Sequence, residues 1–455
     1  MEGLAEILPI LMLPTLAVFL FSGFPVALVL AGVGMLFGLL GWMTGEFPAV
    51  AFLNIPLRLD GTISYNLIYP AVPMLLFMGL AVEKSGVARE MLLCMRVLLR
   101  RVPSSMSVGV LILGILLAPA AGLIGASVAT LGLVALPTML EQGYKHSVAT
   151  GAVAAAGTLG IILPPGILLF FLAQHLSVSM GSLFLATLVP GLLLALLFIA
   201  YFIAQGRISG TGADAIDNEY EGRTLALISY VVRSLALPVA LIVLVLGSII
   251  LGWAVPTEAG AVGAAGGIVL MAVTRTLSPQ RLNEVVKATV RTTAMVFFIV
   301  LMATVFSYPF RYLGGDGYII DLMTATGFGD WGLLFVILGT IFVLGFFLDW
   351  IEIVIITLPI FYPIISDLDF SATISDPELA KVWIAVLIGL VLQTSFLTPP
   401  FGFALFFVKG VAPPGVTLGE VYRGAVPLVI IQIIGIALVV LIPALAIGLP
   451  GIALD

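Results

Sequence analysis

The chain has 455 residues, 61% of them apolar and 9% charged, with a net charge of −6 and a mean hydropathy of +1.26. Soluble domains carry about 25% charged residues, so this composition excludes a soluble enzyme, a nucleic-acid binder and a disordered scaffold. What remains is an all-α polytopic membrane protein.

In chain order, apolar segments fall at 7–22, 26–43, 64–82, 107–137, 148–172, 182–205, 225–251, 253–274, 291–310, 331–365, 382–408 and 425–449. The first lacks a basic leader and a small-residue cleavage site, and reads as a retained span. Arg58 and Asp60 read as a pair in a loop. Between 83 and 106, Met91, Leu92, Met95, Leu98 and Leu99 recur at helical spacing among Lys84, Arg89, Arg96, Arg100 and Arg101. That is the pattern of an amphipathic helix on the membrane surface. The positive-inside bias assigns this stretch, and the loop 275–291 with Arg275, Arg281, Lys287 and Arg291, to the cytoplasm. Three spans before residue 83 then set the N-terminus in the periplasm. A lone cysteine, Cys94, excludes an internal disulfide or a thiolate cluster. His146, in a polar connector, and His175, at the start of a loop, have no partner at metal or catalytic spacing. Residues 207–224 form a polar linker near the middle of the chain.

Segments 107–137 and 331–365 exceed the roughly 20 residues that cross the hydrocarbon. Each is either a span with a re-entrant helical hairpin or an ordinary pair of spans joined by a tight turn. Gly122, Gly125, Ala126, Ser127 and Thr130 crowd the middle of the first. Such small residues either leave carbonyls accessible or form a helix-packing face. The second carries Asp349 and Glu352. A carboxylate at the bilayer centre costs about 2.5–3.5 kcal/mol, so Asp349 is the candidate ion ligand unless its turn reaches the water interface. Glu352 reads as its water-facing neighbour. A diproline follows each segment, in TLGIILPPGILLFF (Pro164, Pro165) and QTSFLTPPFGFALFF (Pro399, Pro400). Proline removes a helical donor and displaces the residue before it from the α region. Two together beside Gly160 and Gly166, or beside Gly402, either kink a packed helix or unwind it. Unwound backbone in a membrane is tolerated where it is buried or lines water. Its carbonyls then coordinate a hard cation such as Na⁺, and half-helix N-termini face an anion. Glu258, after Pro256 and Thr257, reads as a helix-start cap, and Arg311 as a snorkelling cation. The order of ALPTM then a diproline, and TLPIF then a diproline, makes the two halves a repeat, with a polar insertion around 366–378 in the second. Such duplication is a mark of secondary transporters.

The stretches GASVATLGLVALPTMLEQGY, ATGAVAAAGTLGIILPP, PTEAGAVGA, FLDWIEIVIITLPIFYPI and TSFLTPPFGFALF, in this order, resemble the large permease subunit of TRAP transporters. SGFPVALVLAGVG and AVPMLLFMGLAVEKSG extend the resemblance over nearly the whole chain. It implies an inverted-repeat transporter with two re-entrant hairpins, and a scaffold against which a transport domain moves as an elevator. It implies Na⁺ as the coupling ion, no other cofactor, and an organic acid as cargo. The implied partners are a periplasmic solute-binding protein and a small four-helix membrane subunit on a separate polypeptide, in the bacterial inner membrane. One Na⁺ site would use Gly122, Gly125, Ser127, Thr158 and Gly160. The other would use Gly345, Asp349, Thr394, Ser395 and Thr398. Ala126, Pro164, Pro165, Pro399, Pro400 and Gly402 would line the substrate between them. Where many members have proline after the hairpin aspartate this chain has Trp350, and its approach to LTPP is more aromatic. Both features resemble a subgroup often labelled for mannitol or chloroaromatic compounds, a label that says little about the substrate.

The expected organisation is scaffold helices and the surface helix in 1–106, a first transport repeat in 107–206 with its hairpin near 114–137, and the linker 207–224. Scaffold helices of the second half follow in 225–312, a second repeat in 313–410 with its hairpin near 341–362, and a C-terminal helix in 411–455. A membrane-embedded enzyme would need a converging nucleophile and base or a metal cluster, for which two loop histidines and few intramembrane carboxylates leave no material. A non-transporting structural subunit leaves two costly unwound helices unexplained. The alternative within transport is a stand-alone divalent-anion/Na⁺ symporter that needs no binding protein.

Overall fold

The computed structural model describes residues 7–453 except 67, 100, 118–123, 210–223 and 400–401; of Ile124, Ala126, 224–230 and Arg233 it describes the backbone alone. Gly122, Pro400 and most of the polar linker thus lie outside the described residues, as does the side chain of Ala126. The described residues form twenty helices. Seven are long and apolar enough to cross a bilayer, and two bent pairs raise the number to nine.

The chain begins with α1 (Leu8–Leu20), α2 (Val26–Thr44) and α3 (Ala49–Ser64). The sequence gives no apolar run for α3, because Asn54, Arg58 and Asp60 interrupt it. Tertiary contacts supply what propensity does not: Ala51 and Ile55 are buried, and the Arg58 guanidinium lies 4.3 Å over the Tyr308 ring. Asp60 accepts from Ser64 on its own helix, so the expected Arg58–Asp60 loop pair does not form. Helix α4 (Ala71–Lys84) bends by 60° into α5 (Val87–Leu98). In α5, Met91, Leu92 and Met95 are buried against the protein while Leu98 is exposed, so most of the apolar stripe faces neighbouring helices.

Two hairpins follow the same plan. In the first, α6 (Ser105–Leu117) and α7 (Ile124–Glu141) are antiparallel, since the Tyr144 hydroxyl beyond the end of α7 accepts from the Met106 N–H at the start of α6 (3.3 Å). In the second, α15 (Asp330–Leu344) and α16 (Trp350–Asp367) flank the turn 345–349. Phe370, beyond the end of α16, packs on Trp331 at the start of α15 (5.0 Å between centroids). Each hairpin leads into a broken helix. These are α8 (His146–Ile162) with α9 (Ile167–Leu176), bent by 41°, and α17 (Pro377–Ser395) with α18 (Phe403–Val411). A long helix closes each unit, α10 (Met180–Ser209) in the first half and α19 (Leu418–Leu441) in the second. His175 lies in the last turn of α9, its Nδ1 2.8 Å from the Phe171 carbonyl, and does not begin a loop.

The first halves of the broken helices form the centre of the molecule, with every residue of 148–162 and 382–397 buried. Glycines make this density possible. A Cβ on Gly151 would lie 2.8 Å from the Gly424 carbonyl, where α8 crosses α19, and one on Gly114 would lie 2.5 Å from the Ala156 carbonyl. Trp383 is anchored at its indole N–H, which donates to the Val439 carbonyl (3.0 Å).

The remaining helices are α11 (Thr224–Ile250), α12 (Pro256–Val273), α13 (Pro279–Tyr312), α14 (Gly315–Ala325) and α20 (Ala444–Ala453). Glu258 caps α12 by accepting from the Val255 N–H (3.0 Å), as its position after Pro256–Thr257 predicts. Arg281, Lys287 and Arg291 lie on the first turns of the 34-residue α13 and not in a loop. Ser278 caps that helix and Pro279 occupies its first turn, where its missing N–H has no intrahelical partner to lose.

Candidate functional site

Proline is the local reason for both breaks. At the first, Leu163 leaves the helix with extended backbone (φ −82°, ψ 131°) before Pro164 and Pro165, and Gly166 restarts it as the N-cap of α9. A Cβ on Gly166 would meet three carbonyl oxygens, those of Ile161 (2.7 Å), Leu163 (3.1 Å) and Gly160 (3.2 Å). The unwound segment therefore turns several acceptors towards one point. At the second break Gly402 occupies the matching position, its Cβ direction 2.5 Å from the Phe396 carbonyl oxygen. Both helices are thus interrupted ahead of a glycine N-cap, with three carbonyl oxygens around Gly166 at the first break and one near Gly402 at the second.

The hairpins press on these breaks and cross between halves. In the second, Gly345 lies so close to Ser395 that any Cβ would overlap its side chain, which puts the turn against the end of α17. Trp350, one residue past the turn, is buried and reaches Phe171 on α9 of the first half (5.8 Å between centroids). The first hairpin reciprocates: a Cβ on Gly125 would lie 2.5 Å from the Phe407 ring on α18 of the second half. Each hairpin thus sits between the broken helix of its own half and the distal segment of the other.

Asp349 is the N-cap of α16, its Oδ1 accepting from the Trp350 N–H (2.8 Å). Glu352 completes a capping box, its Oε2 accepting from the Asp349 N–H (3.2 Å). The hydroxyls of Thr158, Thr394, Ser395 and Thr398 all donate back to main-chain carbonyls three or four residues earlier, at 2.7–3.1 Å. A hydroxyl that donates keeps its lone pairs, so these oxygens retain the capacity to accept from a ligand or bind a cation.

The structure brings the expected residues together in two groups. Ser127 and Gly160 line one small cavity at the first hairpin, and Thr158, two residues before Gly160 on α8, is buried but outside its lining. Gly345 and Ser395 touch, with Asp349, Thr394 and Thr398 on the same turn and helix end. Pro164 and Pro165 are buried in the first break and Gly402 in the second, while Pro399 is half-buried. Sequence reasoning missed Glu83, which lines the cavity of Ser127 and Gly160. It also passed over Gln393, fully buried one turn before the second break, whose amide N and O have no partner among the described residues. A lone amide in an apolar run was the available signal. Arg311 donates to the Pro359 carbonyl (2.9 Å) and pairs with Asp316 (3.3 Å), which ties α13 to the second hairpin.

The family model for the DctM component of tripartite ATP-independent periplasmic transporters matches residues 13–445. The chain is 28% identical to the C4-dicarboxylate TRAP transporter large permease protein of Pseudomonas aeruginosa, over 84% of this chain and 86% of that one. It is 28% identical to the sialic acid TRAP transporter large permease protein of Vibrio cholerae, with 96% of each covered. With the ectoine TRAP transporter large permease protein of Halomonas elongata it shares 25% over 97% and 99% of the two chains. Among solved structures, the YdaH transporter of Alcanivorax borkumensis superposes with a TM-score of 0.59 at 13% identity, covering 88% of this chain and 90% of that one.

Proposed function

The chain belongs to the DctM component family of tripartite ATP-independent periplasmic transporters, and from that premise we propose that it imports an organic acid by Na⁺-coupled elevator movement. As a large permease of this family it is an inner-membrane protein of secondary transport that works with a small membrane subunit and a periplasmic binding protein. The relatives named for C4-dicarboxylates, sialic acid and ectoine all point to compounds bearing a carboxylate. One observation carries the reading: three carbonyl oxygens converge on Gly166 at the first break, and at the second break the hairpin turn at Gly345 packs on Ser395. Oxygen donors in unwound backbone suit Na⁺, and a bound Na⁺ supplies the positive field that attracts a carboxylate.

In this reading Na⁺ sits at the first hairpin with Gly122, Gly125, Ser127, Thr158 and Gly160, and at the second with Gly345, Asp349, Thr394, Ser395 and Thr398. Ala126 and the diproline segments line the cargo. The unit of hairpins and broken helices slides against the remaining helices. Without ions its exposed carbonyls would meet lipid at a cost of several kcal/mol each, so the empty carrier crosses slowly.

The test is uptake by proteoliposomes holding the permease and small subunit, supplied with binding protein and the acid that co-purifies with it. An inward Na⁺ gradient should drive accumulation. Equal uptake in Na⁺-free buffer refutes the coupling, and equal uptake without binding protein favours a stand-alone symporter.

A further inference from the structure

Glu83 lies in the last turn of α4, outside both breaks and both hairpins. The side chain is half-buried and faces the same cavity as Thr130 on α7. Together with Gly114, Ser127, Gly157 and Gly160 these two residues bound the cavity of about 20 Å³ already described at the first hairpin. A space of that size holds one water molecule or one small ion. A carboxylate in an apolar helix needs compensation for its charge. Lys84 follows in sequence, but its side chain is exposed. One carboxylate and two hydroxyls present only oxygen donors, the set that suits hard cations. With a single negative charge they match a monovalent ion, whereas a divalent one would leave a buried positive charge.

We propose that Glu83 and Thr130 complete the first-hairpin site of Ser127 and Gly160, so that its monovalent hard cation, Na⁺, is held between α4 and the hairpin. The identity of the ion rests on the Na⁺-coupled reading above; the part of Glu83 and Thr130 rests on the cavity and its oxygens. Glu83 and the two hydroxyls come from different elements, so the site exists only while α7 lies against α4. An ion there clamps the hairpin in the arrangement described, and movement of the hairpin away from α4 dismantles it.

The test is thermal unfolding of the full-length chain, co-purified with its small subunit, as NaCl replaces choline chloride at constant ionic strength. For the wild type the midpoint should rise with Na⁺. Glu83→Gln and Thr130→Val preserve volume, and each should raise the half-saturating Na⁺ concentration about tenfold, equivalent to about 1.4 kcal/mol. Having two variants keeps the test decisive should one fail to fold. Wild-type Na⁺ curves in both would overturn the part of Glu83 and Thr130 in holding the ion. The uptake assay separates the two ideas. Na⁺-independent uptake by the wild type sinks the coupling itself, whereas a Na⁺ response lost in Asp349→Asn but intact in Glu83→Gln sinks the part of Glu83 alone.

Discussion

Replacing Gly166 with alanine tests the convergence of carbonyls directly. Gly166 has φ −61° and ψ 141°, a conformation alanine adopts without strain. On backbone grounds alone Gly166→Ala should stabilise the protein by about 0.4–1 kcal/mol, because it restricts the unfolded chain. The surroundings oppose this. The new Cβ would stand 2.7 Å from the Ile161 oxygen, with the Leu163 and Gly160 oxygens at 3.1 and 3.2 Å. Ordinary contact begins near 3.4 Å, and these neighbours are main-chain atoms that no rotamer change can move. Overpacking of this kind costs about 1–3 kcal/mol, so the net expectation is a loss of about 1–2 kcal/mol. Relief comes only by displacing the carbonyls proposed to hold the ion, so the half-saturating Na⁺ concentration for uptake should rise as well. Gly339→Ala on α15 is the control, since nothing lies within 4 Å of its Cβ position; it should match or exceed wild-type stability with an unchanged Na⁺ curve. Detergent-phase thermal unfolding and Na⁺ titration of uptake read the two effects. A Gly166→Ala protein as stable as the control, with wild-type Na⁺ activation, would refute the reasoning.

Three further expectations follow from other contacts. Asp349→Asn keeps an N-cap acceptor and should preserve stability while weakening Na⁺ activation of uptake, whereas Asp349→Ala should also lose about 1 kcal/mol of thermal stability. Gly125→Ala places a Cβ 2.5 Å from the Phe407 ring, so a double-mutant cycle with Phe407→Leu should show favourable coupling of about 0.5–3 kcal/mol in unfolding measurements. Tyr144→Phe removes the acceptor of the Met106 N–H and should destabilise the base of the first hairpin by about 1 kcal/mol, seen as faster hydrogen exchange at the start of α6.

The breaks and hairpins were readable because proline and glycine act locally. Pro164–Pro165 and Pro399–Pro400 interrupt a helix whatever packs around them, and Asp349 stands out in any apolar run. The cap formed by Asp349 was readable too, since Asp-Trp-Ile-Glu has capping-box spacing, but intramembrane charge drew the interpretation towards an ion. What local sequence does not carry is tertiary choice. Helix α3 exists because one face packs on α13 and Arg58 finds an aromatic ring there. Glu83 looks solvated beside Lys84, and only the approach of Thr130, 47 positions later, reveals where its carboxylate goes. Arg281 to Arg291 read as loop because their charges hide a helix that begins with Ser278 and Pro279.

The exchange of partners between halves has a consequence for biogenesis. The surface of α7 around Gly125 and Gly132 is covered by Phe407 and Val411, which leave the ribosome nearly three hundred codons later. Until then the first hairpin has inserted without its final cover, so long-range closure comes late in assembly. Two fragments produced by cutting within 210–223 should each be short-lived alone and should reassemble when co-expressed, because each half supplies the missing wall of the other.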